Sequence, residues 1–146
     1  MYTVKRNIEF TVFILIISFC FGCDPLYDVK ICNNSKQDVI IEIEFDKQSL
    51  ERHWNGRSYL SYLDSYPSGD YWEKPLYKDT VKLIYGYVLG EQKKFDLESG
   101  IGYRPDFDII SRIKIIKTDT ISFEKDQELL SKFSKVNVRS WVLNIE

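Results

Sequence analysis

The stretch Val39–Phe45 reads VIIEIEF, and it is the segment that decides the fold of this 146-residue chain. Apolar side chains at its odd-numbered positions alternate with Ile40, Glu42 and Glu44. Successive side chains of a β-strand point to opposite faces of a sheet, so a period of two predicts a strand with one buried and one solvated face. Sheets with a solvated face are typical of antiparallel β proteins.

Further strand patterns lie on both sides of this segment. Residues 29–32 predict a short strand that ends in the turn-prone Asn33-Asn34-Ser35. This arrangement predicts a β-hairpin with residues 39–45 through a loop longer than two residues. Alternating or β-branched positions predict three more strands, over residues 81–89, 109–116 and 138–145.

The segments between these strands carry weaker signals. Residues 48–64 have helical spacing that Gly56 interrupts, so their structure stays ambiguous, and residues 91–108 predict a long polar loop. Ser122 is expected to cap a helix over residues 123–134. Mostly strands, one late helix and no alternating βαβ units predict a mainly β domain, either an antiparallel β-sandwich or a small barrel-like fold.

Composition excludes several function classes. The formal net charge is −2 and the chain has no lysine- or arginine-rich run, so we expect no nucleic-acid partner. Three cysteines and one histidine provide neither a disulfide framework nor a histidine-rich metal site. No phosphate loop or dinucleotide fingerprint is present, so we expect no cofactor and no bound metal.

The amino-terminal region has the organisation of a secretory signal. Lys5 and Arg6 precede the uncharged run FTVFILIISFCFGC over residues 10–23. As a helix this run would cover roughly 21 Å, which is short of the ~30 Å hydrocarbon core of a bilayer. A basic start and a short apolar run therefore predict a signal helix, with an uncleaved transmembrane anchor or a buried core helix as the alternatives.

The end of that run, Cys20-Phe21-Gly22-Cys23, resembles the lipobox of bacterial lipoproteins, in which a small residue precedes a cysteine that is lipidated. The resemblance implies that residues 1–22 are removed as a signal peptide and that Cys23 becomes the lipidated amino terminus. Residues 23–28 are then a tether, and residues 29–146 a single mainly β globular domain. Cys32 is expected to be a small core residue, and a disulfide with Cys23 is open only if lipidation fails.

Residues 24–146 also resemble small lipoproteins common in Bacteroidota. The shared features are the asparagine-serine turn after the first strand, a mid-chain tryptophan (Trp72) and a late helix followed by a tryptophan strand (Trp141). The resemblance implies attachment to the bacterial cell envelope through the lipid anchor, at the outer membrane and facing either the periplasm or the exterior. It implies no particular activity, and it leaves the oligomeric state open.

A tyrosine-rich segment over residues 59–87 is the main candidate for a contact surface. Aromatic faces stack on sugar rings and carboxylates accept bonds from hydroxyls, so Tyr66, Asp70, Tyr71 and Trp72 are candidate contacts for a glycan or a partner protein. Tyrosine also suits a half-buried sheet face, so simple packing of these side chains is the favoured interpretation and a contact surface is the alternative.

Signals for catalysis are weak, so we expect a non-catalytic binding or structural domain. A Cys32/His53 pair lacks a surrounding signature. Two local pairs of carboxylates, Asp70 with Glu73 and Asp106 with Asp108, keep open a small envelope hydrolase. A glycan-binding module is the stronger alternative.

Overall fold

The structure, a computed structural model, describes residues 26–54, 59–67, 74–102, 104–125 and 127–146. The predictions made for the signal segment and for lipidation of Cys23 lie outside these ranges. Within the described ranges, no helix has both the length and the apolar character needed to cross a membrane.

The described residues form nine strands and three helices. The strands are β1 (Leu26–Asn33), β2 (Val39–Phe45), β3 (Tyr77–Asp79), β4 (Ile84–Leu89), β5 (Lys94–Ile101), β6 (Ile110–Ile116), β7 (Thr120–Glu124), β8 (Ser134–Lys135) and β9 (Ser140–Ile145). The helices are α1 (Lys47–Trp54), α2 (Tyr59–Asp64) and α3 (Gln127–Lys132).

The strands form two open sheets, which confirms the prediction of a mainly β, sandwich-like fold. The first sheet has the strand order β5-β1-β9-β8 and the second has the order β3-β4-β2-β6-β7. Every pairing is antiparallel except that of β1 with β9, which is parallel. Both sheets keep free edges and neither closes into a barrel, so the barrel-like alternative is not adopted.

The core contains inward-facing side chains of both sheets. Val29 and Ile31 of β1 and Ile41 and Ile43 of β2 are fully buried in the same apolar cluster. The even-numbered positions of β2 face outward, where Lys114 Nζ lies 2.7 Å from Glu42 Oε1. The alternation read from the sequence of β2 is therefore the alternation between core and solvent.

The predicted hairpin between residues 29–32 and 39–45 is wrong, because β1 and β2 lie in different sheets. The buried Asn33 stabilises the connection that leads from β1 in the first sheet to β2 in the second. Its side-chain amide donates to the backbone oxygens of Gln37 at 2.8 Å and of Leu89 at 3.1 Å. A period of two specifies which face of a strand is buried, but it does not specify the strand with which it pairs. β1 therefore pairs with β5 and β9, and β2 pairs with β4 and β6.

The predicted loop over residues 91–108 is also wrong, because β5 occupies Lys94–Ile101 and pairs with β1. Phe95 and Leu97 are the apolar side chains that this strand buries. The remaining residues of β5 are polar or small, except Ile101 at its end. An edge strand that buries so few apolar side chains has a weak sequence signal.

The predicted strand over residues 81–89 begins late, at Ile84. Val81 is 89% exposed and lies in a turn, where the backbone amides of Val81 and Lys82 donate to Asp79 Oδ1. Leu83 has a positive φ of 57°, a left-handed conformation that a strand does not allow. Leu83 is nevertheless buried with Tyr85 and Tyr87, so the alternation predicts burial correctly from Leu83 onward and fails at Val81.

The helix predicted over residues 123–134 is shorter, because residues up to Glu124 belong to β7. Phe123 pairs with Ile113 and is buried as an inward-facing strand residue. The helix that remains, α3, buries Leu129 completely. Residues 120–124 pair with β6 instead of starting a helix at Ser122, because tertiary pairing outweighs local helix propensity.

The ambiguous segment 48–64 contains two helices, α1 and α2, with residues 55–58 outside the described ranges. Asp46 caps the first of them, because its Oδ1 accepts the backbone amide of Ser49 at 3.0 Å. Leu50 and Leu63 are fully buried and attach the helices to the core.

Candidate functional site

A β-bulge in β5 places a carboxylate toward the protein interior. Val29 of β1 pairs with Glu98, but the next residue, Lys30, pairs with Asp96, so Leu97 is an extra residue in the ladder. An extra residue reverses the alternation of side chains beyond it. Glu98 consequently shares a face with the fully buried Val29, although Asp96 faces outward beside Lys30.

Glu98 is only partly satisfied in this position. The hydroxyl of Tyr27 donates to Glu98 Oε1, while Oε2 is buried and has no hydrogen-bond partner among the described residues. Burial raises the pKa of Glu98, and the charge of Asp106 adds to this rise; the bond from Tyr27 and the nearby backbone amides of Asp106 and Phe107 act against it. A buried carboxylate with one unpaired oxygen is stabilised when that oxygen is protonated or when it accepts a hydrogen bond from a donor group.

A cavity of about 140 Å³ lies next to this carboxylate. Glu98, Tyr62 and Tyr66 line part of it. The rest of the lining includes an ion-paired group in which Lys30 Nζ lies 3.3 Å from Asp28 Oδ2 and 3.6 Å from Asp96 Oδ1. Cavities of roughly 150 Å³ hold a benzene molecule, so this one has room for about one six-membered ring.

The lining suits hydrogen bonding to a small polar molecule. Asp28, Asp96 and Glu98 supply acceptors, Lys30 supplies a donor, and Tyr62 supplies a flat apolar face. Among the described residues, no group of three or more histidine, cysteine, aspartate or glutamate side chains is arranged to hold a metal ion. The cavity therefore offers polar recognition built from side chains.

Of the predicted contact residues, the structure describes Tyr66, and this side chain does not lie on an exposed platform. Tyr66 is only 7% exposed, its ring packs edge-on against Phe45 at 5.0 Å, and its hydroxyl donates to the backbone oxygen of Leu97. Tyr66 is therefore packed as a core residue, with one side on the cavity. Asp70, Tyr71 and Trp72 lie outside the described residues.

The other described tyrosines of the segment 59–87 are mostly packed as well. Tyr85 and Tyr87 of β4 are fully buried, and Tyr87 donates its hydroxyl to the backbone oxygen of Tyr66 at 3.0 Å. Tyr62 stacks obliquely on Trp54 with 4.4 Å between ring centroids. These rings fill the space between α1, α2 and the sheets, as aromatic side chains with a polar tip commonly do.

A second polar cluster joins α1 to the segment before β6. His53 Nε2 lies 2.6 Å from Asp108 Oδ2, and the hydroxyl of Ser49 donates to Asp108 Oδ1 at 3.3 Å. The bond to His53 is the main reason that the pKa of Asp108 is lowered. In a serine hydrolase the histidine lies between the serine and the acid, whereas here the acid lies between the other two. This order ties the helix down and does not activate the serine.

The surroundings of the other candidate catalytic residues, Cys32 and Asp106, also indicate a structural role. Burial raises the pKa of the Cys32 thiol, which disfavours the thiolate that a nucleophile needs. Asp106 Oδ1 accepts the backbone amide of Asp108 at 3.1 Å, a local turn contact. Glu73, the proposed partner of Asp70, lies outside the described residues.

Sequence reasoning missed Glu98 because it lies inside the predicted loop. The signal that was available is the short alternation Phe95-Asp96-Leu97-Glu98, which is typical of an edge strand. The inward turn of Glu98 has no such signal, because a bulge arises from the pairing of two strands distant in sequence.

Comparisons with known proteins add no relative. No protein-family model matches the chain, and no match was found among curated proteins or among solved structures.

Proposed function

We propose that this chain is a lipid-anchored domain of the bacterial cell envelope that binds a small polar ligand without transforming it. The apolar run over residues 10–23, ending in Gly22-Cys23, supports the anchor. The carboxylate of Glu98, buried on one oxygen beside a ring-sized cavity, supports binding, and it is the observation that carries this proposal. In this proposal the domain lies at the outer membrane, on its periplasmic or exterior face.

The absence of catalysis in this proposal is supported by the polar clusters among the described residues. The acid of the Ser49, Asp108 and His53 cluster occupies the place that a catalytic histidine would need. Asp28 and Asp96 of the cavity are both engaged by Lys30. These groups are arranged to hold a ligand or an element, and a general base facing a nucleophile is not among them.

Labelling with palmitate tests the anchor. Wild-type protein, Cys23→Ala and Cys20→Ala are expressed in a bacterial host that is fed labelled palmitate, and label in the purified protein is measured. We expect label in wild type and in the matched Cys20→Ala control, and none in Cys23→Ala. Equal label in all three proteins would refute the processing of Cys23.

A more specific candidate for the small polar ligand is a single sugar ring, and the domain would then be a glycan-binding module. One aromatic face and several carboxylates are the groups that recognise sugars, and the cavity has room for one ring. Glucose, galactose and N-acetylglucosamine serve as probes in an NMR titration of wild type, Glu98→Gln and the matched control Glu91→Gln. This proposal expects shifts at the amides of residues 96–99 that weaken only in Glu98→Gln. The absence of shifts with all three probes would contradict it.

A further inference from the structure

Exposed apolar side chains are concentrated at one end of the first sheet. Leu26, Ile101, Val136 and Val138 are 64%, 69%, 65% and 73% exposed, and together they are named the anchor-side patch. Elsewhere among the described residues, only Leu76 and Val81 combine a large apolar side chain with comparable exposure. Scattered apolar side chains on a surface are ordinary, whereas a group of them at one place marks a contact surface.

The pairing of the strands brings these residues to the same end. Leu26 begins β1 and is the direct cross-strand partner of Ile101, which ends β5. Directly opposed residues of an antiparallel pair project to the same face, and here it is the outer face of the sheet. Because β9 runs parallel to β1, the loop that holds Val136 and Val138 lies at this end too, where the amide of Asp28 donates to the backbone oxygen of Arg139 at 2.9 Å.

Two further observations indicate what covers the patch. Leu26 is three residues after Cys23, and three residues of chain span at most roughly 11 Å, so a lipid on Cys23 holds this end of the sheet against the membrane. Arg104 and Arg139 are exposed and close to the patch in sequence, because Arg104 is three residues after the end of β5 and Arg139 directly precedes β9. Arginine next to apolar side chains complements anionic headgroups above acyl chains.

We propose that the anchor-side patch inserts into the lipid bilayer surface, so that the domain is held in one orientation by both its lipid and its own apolar side chains. The inference rests on the proposed lipid anchor at Cys23. The anchor-side patch adds a second contact with the membrane, and this contact fixes the orientation of the domain, because a single lipid anchor would leave the domain free to rotate. In the fixed orientation the outer face of β1 at Leu26 meets the membrane.

The test uses the full-length lipidated protein in vesicles of phosphatidylcholine and phosphatidylglycerol. An environment-sensitive NBD fluorophore is attached to Val138→Cys, to Ile101→Cys and to the matched control Val81→Cys, a turn residue of the second sheet that is 89% exposed. Quenching by lipids with brominated acyl chains is then measured. We expect at least two-fold stronger quenching at positions 138 and 101 than at position 81.

The outcomes separate this inference from the anchor itself. Palmitate label on the same preparations with equal quenching at all three positions would overturn the membrane contact and leave the anchor standing. A preparation without palmitate label would overturn both proposals. Strong quenching at positions 138 and 101 but not at position 81, in palmitate-labelled protein, supports both the lipid anchor and the membrane contact.

Discussion

Glu98 illustrates how a single residue acquires an unusual chemical state from its surroundings. The bulge at Leu97 turns its carboxylate inward, where burial raises the pKa of the group and Tyr27 satisfies one oxygen. Burial, together with the same hydrogen bond, raises the pKa of Tyr27 well above its usual range. Because a charged carboxylate is disfavoured in such a place, this residue links the stability of the fold to pH.

We predict that Glu98→Gln removes one pH-dependent component of stability. The folded protein holds the proton of Glu98 more tightly than the unfolded chain does, so stability is present below the ordinary pKa of 4.5 and decreases as pH rises toward the raised pKa. The free energy of unfolding is measured by urea denaturation from pH 4 to pH 8. Relative to wild type, the variant should gain stability with rising pH.

The exposed Glu91→Gln is the matched control for this measurement and should keep the wild-type slope. Parallel curves for Glu98→Gln and wild type would show that Glu98 does not titrate differently in the folded state. Each unit of difference in pKa between the folded and unfolded states corresponds to about 1.4 kcal/mol.

At the scale of elements, strands β1 and β5 depend on a close fit between a ring and a glycine. Tyr27 pairs with Gly100, and a Cβ atom at Gly100 would lie 2.7 Å from the Tyr27 hydroxyl oxygen. The ring cannot easily move away, because it is buried, packs edge-on against Trp141 and is bonded to Glu98. Glycine at position 100 thus allows β5 to lie against β1 beside the cavity.

We predict that Gly100→Ala destabilises the protein by about 1–3 kcal/mol, the usual cost of forcing extra atoms into a packed site. The matched control is Gly90→Ala, where the nearest atom to a new Cβ is Lys93 Cγ at 3.4 Å. That variant should remain within about 0.5 kcal/mol of wild type. Urea denaturation provides both values. Equal stabilities for the two variants would show that the ring of Tyr27 yields freely.

At the scale of the whole molecule, the two sheets share one apolar core. Phe45 of β2 contacts both Tyr85 of its own sheet and Tyr66, whose hydroxyl reaches the backbone of Leu97 in the other sheet. Neither sheet can expose its inner face without exposing that of the other. Such mutual burial makes folding cooperative.

We predict that Ile31→Ala in the first sheet and Ile43→Ala in the second each reduce stability by about 2–5 kcal/mol, as truncation of a fully buried isoleucine does. Each variant should unfold in one transition, with coincident curves from tryptophan fluorescence and circular dichroism. The control Ile40→Ala, on the outer face of β2, should lose less. Two separate transitions in either variant would show that the sheets unfold independently.

The local pattern of side chains determined which face of β2 is buried, and the strand patterns together determined the mainly β, sandwich-like fold. Alternation at residues 39–45 predicts burial directly, because the face of each side chain follows from its position along the strand. The apolar run before Cys23 likewise predicts export from composition and length alone. These properties depend on residues near one another in the chain.

Tertiary structure alone decided the partners of the strands and the site they form. The sheet order β5-β1-β9-β8 joins residues from both ends of the chain, and the bulge that turns Glu98 inward exists only where β5 meets β1. Tyr66, which the sequence leaves open as a contact residue or a packed one, is buried because β4 and the backbone of β5 surround it. Pairing and burial depend on contacts between distant residues, and no local pattern contains them.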